Sequence, residues 1–218
     1  MTTTRIITSS ITFAVATFLA GCSDPSDTVH KSSGSAPQSA GSAPAGAGKD
    51  FVVRAESKIG FVGSKVTGSH SGGFTNFSGT IQVAGGKIVG SPEIKIAMQS
   101  TWTDNDRLTG HLKSPDFFDA EKFPVSTFTI TSIEATAEPA KITGNFNLHG
   151  VTKSVSFPAQ VQVSANSVGV KADFAINRKD FNINFPGKPN DLIRDNVVIK
   201  LDLNATPGAA RPQDQTVK

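Results

Sequence analysis

Tyrosine is absent from the 218 residues, and there is one tryptophan, one cysteine and two methionines. A single cysteine excludes an intramolecular disulfide and a thiolate-based metal cluster. With tyrosine missing, fifteen phenylalanines carry nearly all the aromatic bulk. Phe supplies apolar surface without a hydroxyl that needs a partner, which suits a greasy interior better than a polar recognition surface. Charge is sparse too: 18% of residues are charged, the formal net charge is +3, and the charges are scattered singly. A nucleic-acid footprint would cluster basic residues on one face or helix. There is no G-x-S-x-G, no H-E-x-x-H and no glycine-rich phosphate loop, and the four histidines (His30, His70, His111, His149) are too widely spread for a helical metal pair. No enzyme, no metal and no cofactor is expected. The length suits one sizeable domain.

What is present begins with an address. Residues 1–21 carry one charge, Arg5, then an apolar run from Ile11 to Ala20. That run is too short to cross a bilayer as a mature helix and has the length and flank of a signal-peptide core. It ends in Leu19-Ala20-Gly21-Cys22, which resembles the bacterial lipobox, in which the cysteine is acylated and becomes the first mature residue. The expectation is a lipoprotein signal peptide over 1–21 and a lipid anchor on Cys22, with no thiol left to act as a nucleophile. Ser23 after it resembles the sorting signal for the outer membrane, with the protein facing the periplasm. Residues 23–49 include nineteen Ser, Gly, Ala or Pro out of 27, a composition that cannot bury enough apolar surface to offset chain entropy. Residues 22–49 are therefore expected to be the acylated cysteine and a flexible tether, 50–205 the folded unit and 206–218 a disordered tail.

Across 50–205 apolar and polar residues alternate, broken by Gly, Asn and Pro. Eight runs stand out: Ile59-Phe61, Phe77-Val83, Ile94-Met98, Phe128-Ile130, Ile142-Leu148, Val155-Val163, Val168-Ile176 and Val197-Leu203. Glycine- and asparagine-containing turns such as Gly85-Gly86 and His149-Gly150 point to antiparallel hairpins. The Gly68–Gly72 stretch reads as a flexible loop carrying His70. One insertion breaks the rhythm: Asp104 to Phe118 predicts one or two short helical turns, capped by Asp104 or Asn105 and stopped by Pro115. Asp116 and Asp119 read as caps around that break.

Eight such strands pack as a sandwich or close into a barrel, and closure removes exposed edges. An eight-stranded barrel is either just filled by side chains or hollow enough for one small ligand. Gly79 and Gly144 on the inward face leave room and favour a cavity.

The ordered motifs resemble the YceI-like family of bacterial lipid- and polyisoprenoid-binding proteins. They are Ser57-Lys58-Ile59-Gly60-Phe61, Gly73-Phe74-Thr75-Asn76-Phe77-Ser78-Gly79, and Asn105 with His111-Leu112-Lys113-Ser114-Pro115-Asp116-Phe117-Phe118-Asp119 through Phe123-Pro124 to Phe128. Then follow Thr143-Gly144-Asn145-Phe146-Asn147-Leu148-His149-Gly150-Val151-Thr152-Lys153, Asn177-Arg178-Lys179-Asp180-Phe181 and Asp195-Asn196-Val197-Val198-Ile199. The resemblance implies an all-β, lipocalin-like, eight-stranded antiparallel barrel. Its elongated channel would bind a long-chain isoprenoid lipid, such as a quinone or polyprenyl phosphate, in an exported protein that is often a homodimer. Two departures are the anchor on Cys22, since many members are soluble, and the variant stretch Phe185-Pro186-Gly187-Lys188-Pro189, which reshapes the channel mouth.

On this reading the channel lining comprises Phe61, Phe77, Ile96, Phe128, Phe146, Phe157, Phe174 and Ile199, an assignment that a one-residue register slip would invert. Arg107, His111 and Arg178 stand nearer a headgroup. Arg107 and His111 share a helical face. The competing role for His111 is a structural hydrogen bond, and for Arg178 an ion pair with Asp180 or Asp195. His149 reads as a turn residue with a side-chain hydrogen bond. Ten chain groups leaving water would contribute on the order of 8 kcal/mol. Competing functions are an envelope adaptor with a filled barrel, and an enzyme acting on the bound lipid.

Overall fold

The structure is a computed structural model in which residues 23–39, 48–136 and 138–208 are described. The expected signal peptide, Cys22, the middle of the expected tether and most of the expected tail lie outside the described residues. The strands are β1 (His30–Ser32), β2 (Lys49–Val53), β3 (Lys58–Lys65), β4 (Gly68–Phe74), β5 (Phe77–Ala84), β6 (Lys87–Ala97), β7 (Thr101–Thr103), β8 (Val125–Glu134), β9 (Ala140–Leu148), β10 (Val151–Val163), β11 (Val168–Asn177), β12 (Gly187–Lys188), β13 (Asp191–Leu192) and β14 (Asn196–Pro207). Among the described residues one α-helix, α1 (Asp106–Lys113), and three short 3-10 turns join them.

An antiparallel ring closes in the order β11-β10-β9-β8-β6-β5-β2-β14, with β14 returning to β11 over Asn196 to Ala205. This is the expected eight-stranded barrel, but its membership differs by one from the eight sequence runs. The ring takes β2 where the alternation pointed to β3. β14 is shared between them: Val198 to Asp202 pair with β3, while Ala205 to Pro207 pair with β2. β3 therefore leads a side wall continued by β4 and β7.

β4 corrects the reading of Gly68–Gly72 as a loop. All seven of its residues pair with β3. Its glycines hide the strand signal because side chains are excluded there: a Cβ on Gly72 would lie 2.5 Å from the Phe61 ring and from the Trp102 carbonyl oxygen. The predicted helical insertion forms as expected, with Asn105 Oδ1 capping the Leu108 amide at 3.1 Å. The tight turns also follow expectation. Gly85-Gly86 and His149-Gly150 all have positive φ, the mirror-type hairpin geometry that glycine tolerates best.

The tether reading fails over residues 24–38. β10 and β11 pair only at Gln160 to Val163 and then splay apart. β1 enters that seam, running parallel to Phe174–Ile176 of β11, while Ser35 and Ser154 of β10 exchange backbone hydrogen bonds at 2.9 and 3.0 Å. Ser32 Oγ accepts from the Ser156 amide, Asp180 from the Gly34 amide, and Asn145 exchanges hydrogen bonds with Gln38. A composition poor in apolar residues cannot build a core, yet this segment needs none. It docks by backbone hydrogen bonds and small side chains, and satisfies ladder groups that the splayed seam would strand.

Candidate functional site: an apolar cavity at one end of the barrel

The two halves of the barrel interior are built differently. In one half Phe157 and Phe174 stack face to face at 3.9 Å, Phe128 tilts onto Phe157 at 5.7 Å, and Phe51, Ile81 and Ile142 are buried around them. The expectation that Gly79 and Gly144 open the interior is corrected here. The space beside Gly144 holds the Phe128 ring, 2.4 Å from where a Cβ would stand, and that beside Gly79 holds Ile94. Glycine lets the neighbouring strand's large side chain lie flat on the sheet.

The other half, at the α1 end, encloses a cavity of about 600 Å³. Its wall is chiefly apolar: Phe61, Phe74, Ile96, Met98, Phe118, Phe146, Leu148, Ile176, Val197 and Ile199. α1 lies along its opening and turns Leu108 and Leu112 inward, with Arg107 and His111 at the edge. Phe61, Phe74 and Phe118 form a mutual aromatic cluster with ring centroids 5.8 to 6.4 Å apart.

Of the eleven residues that sequence reasoning assigned to the site, the structure brings seven to this cavity: Phe61, Ile96, Phe146, Ile199, Arg107, His111 and Arg178. Four are elsewhere. Phe128, Phe157 and Phe174 belong to the packed half, and Phe77 lines a second concavity with Trp102 and Pro158. Alternation identifies a residue that faces inward, but not whether the space in front of it is filled. Phe74, Phe118, Met98, Lys65 and Lys188 also line the cavity and were missed. Their signal was available: Phe74 and Phe118 sit in the family-like motifs, and Lys188 in the variant stretch before the last strand.

The polar groups divide into spent and free. Arg178 is 4% exposed, and its guanidinium donates to the carbonyls of Ile183 (2.7 Å), Arg194 (3.1 Å) and Ile193 (3.3 Å). Asp195 Oδ1 lies 3.5 Å away, and this is the ion pair anticipated for it. Burial pushes Arg178 below the ordinary arginine value and Asp195 pulls it back. Arg178 thus clamps the 178–195 segment over the cavity, and four of its five N–H groups are engaged by these partners. His111 Nε2 donates to Asp116 at 2.8 Å, and its ring meets Phe117 and Phe185 edge-on, so Asp116 partners a histidine rather than capping a turn. His149 reaches the Phe181 carbonyl from its positive-φ turn, as anticipated. His70 and the Ser71 amide both bind Asp104, which the amide and then the histidine hold below the usual carboxylate range. The side chains of Arg107 and Lys188 line the opening with no ion-pair or hydrogen-bond partner among the described residues. Nor do three His, Cys, Asp or Glu side chains among those residues converge to hold a metal.

Solved structures with this architecture include BcnA of Burkholderia cenocepacia (TM-score 0.62, 24% identity, covering 70% of this chain and 98% of that one). Another is a polyisoprenoid-binding domain from Saccharophagus degradans (TM-score 0.60, 20% identity, 74% and 99% covered). In sequence, a UPF0312 protein of Pseudomonas putida is 32% identical over 124 residues, which span 53% of this chain and 65% of the relative. One from Pseudomonas syringae pv. tomato is 32% identical over 152 residues, spanning 63% and 78%. The YceI-like domain pattern matches residues 52–205, the barrel and its cavity together, and the chain belongs to the YceI-like domain family.

Proposed function

We propose that this protein binds a long-chain isoprenoid lipid non-covalently and carries or stores it in the bacterial cell envelope. The observation that carries the reading is the apolar cavity of about 600 Å³ at the α1 end. At about 30 Å³ per water-sized group, it has room for about twenty carbons, or about four isoprene units. Transfer of that many groups from water contributes up to about 0.8 kcal/mol each before ordering costs are subtracted. The Saccharophagus degradans neighbour is described as a polyisoprenoid-binding domain, which supports the same cargo class here. The headgroup, a quinone ring or a phosphate, stays at the opening beside Arg107 and Lys188, while the hydrocarbon fills the interior.

The lipobox-like Leu19-Ala20-Gly21-Cys22 supports anchoring through acylated Cys22, with Ser23 favouring the outer membrane.

The test is denaturing lipid extraction and mass spectrometry on the processed chain purified under mild conditions. A stoichiometric isoprenoid is expected. A chain that emerges empty, and that also refuses added quinone and polyprenyl phosphate, overturns the reading.

A further inference from the structure

The cavity stops part-way down the barrel, and it stops at the same level on several strands. Inward positions along a strand recur every second residue. On β6 Ile96 lines the cavity and Ile94 does not, and on β8 Ser126 lines it and Phe128 does not. On β9 Phe146 lines it and Gly144 does not, and on β11 Ile176 lines it and Phe174 does not. Beyond that level the interior is filled: Phe51, Ile81, Ile142, Phe157 and Phe174 are each at most 4% exposed.

One ring touches both sides of this boundary. Phe146 lines the cavity, and its centroid lies 6.4 Å from that of Phe128. Phe128 in turn tilts onto Phe157, which stacks on Phe174, so the rings stand in series behind the cavity's inner end. Gly144 is the inward position next to Phe146 on β9, and the space a Cβ would take there holds the Phe128 ring. Phe128 therefore sits immediately below Phe146. From the side Phe146 is held by Phe181, which is fully buried, at 5.2 Å. A hydrocarbon chain offers a protein little to select except its length. Each group that enters the cavity adds to affinity and each group left in water adds nothing, so the side chain that ends the path sets the length that is favoured.

We infer that Phe146 is the chain-length stop of this cavity, with Phe128 as the next ring in series, and that a prenyl chain longer than about four units leaves its excess in water at the opening. The inference rests on the cargo reading above and adds the residue that sets its specificity. Phe→Ala removes six carbons, about 180 Å³ at about 30 Å³ each, or about one isoprene unit. The processed chain is loaded with a fluorescent fatty probe, which is displaced by prenyl alcohols of three to seven units and by straight-chain alcohols of matching carbon number. Affinity for the parent should level off at about four units, and for Phe146→Ala at about five. The fifth unit should bring Phe146→Ala an affinity gain of about tenfold that the parent does not show. Phe128→Ala should add about one more unit in the Phe146→Ala background and less on its own, because alone its void stays closed off behind Phe146. If a thermal melt shows the double variant unfolded, Phe128→Leu in the same background replaces it and should add about half a unit. A plateau that Phe146→Ala leaves in place, or that Phe128→Ala moves equally in both backgrounds, would overturn the stop. Straight-chain alcohols that show these shifts while prenyl alcohols bind at no length would sink the isoprenoid reading and leave the stop standing. Failure of both series to displace the probe from the parent would overturn both.

Discussion

Gly63 offers a perturbation that separates binding from folding. It lies on β3 two residues beyond Phe61, on the same inward side of the strand, and it lines the cavity. A Cβ built there meets nothing within 4 Å, in contrast to Gly72, whose Cβ would strike the Phe61 ring. Gly63→Leu therefore projects four carbons into open space. At about 30 Å³ each they remove about 120 Å³ from the cavity of about 600 Å³, or about one isoprene unit of capacity. A unit of five carbons is worth between about 1.5 kcal/mol, at the efficiency of drug-sized ligands, and about 4 kcal/mol for full transfer. The variant should bind a chain of about four units at least tenfold more weakly. Stability should hold or rise, because a strand glycine carries an entropic penalty of roughly 0.5–1 kcal/mol relative to alanine. The assay is displacement of a fluorescent fatty probe by prenyl alcohols of increasing length, alongside a thermal melt. Affinity should climb to about four units in the parent chain and about three in the variant, then level off. A variant that melts no lower yet keeps the parent's length profile would refute the assignment of this cavity as the hydrocarbon site.

Arg178→Met leaves the carbonyls of Ile183, Ile193 and Arg194 without their donor. It should cost about 3 kcal/mol, on the order of 10 °C in Tm, and a melt within a degree or so of the parent would contradict the clamp. Ser26 is fully buried and its hydroxyl has no hydrogen-bond partner among the described residues, so Ser26→Ala should be neutral or stabilising by up to about 1 kcal/mol in denaturant unfolding. The joint between the β3–β4 turn and β13 should be sensitive to acid. Asp191 is held below the usual carboxylate value by the Lys65 ammonium and the Thr67 hydroxyl and amide. A lowered folded-state value means its contribution is complete above the ordinary carboxylate value near pH 4 and is lost as pH falls through the lowered one. The protection factor of the Val66 amide, which donates to Leu192, should fall only in that acid window, and a fall beginning near neutrality would contradict the pairing.

Several features were legible in the chain because they depend on local periodicity. Period-two alternation located β5, β6, β8 to β11 and β14, since one buried face imposes that pattern on a strand. Asn105 and Pro115 bracketed α1 because capping and proline geometry act within one turn. The ordered Phe, Asn and Gly motifs were sufficient to place the family. Other features depend on partners distant in sequence. β4 is a strand because β3 accepts it and Phe61 needs the room its glycines leave. The Ser- and Gly-rich N-terminal segment is ordered because β10 and β11 splay and leave backbone groups for it to satisfy. Whether Phe128, Phe157 and Phe174 fill the barrel or line a cavity depends on how three rings from three strands meet, and no pattern along one strand carries that information. Arg178 reads alike as a headgroup ligand or a clamp until the carbonyls of Ile183, Ile193 and Arg194 converge on it. The sequence by itself determined which faces are apolar and where the chain turns, because these follow from each residue and its near neighbours. Only the tertiary structure decided which apolar faces meet each other and which surround empty space, because packing is a property of side chains that the chain brings together from far apart.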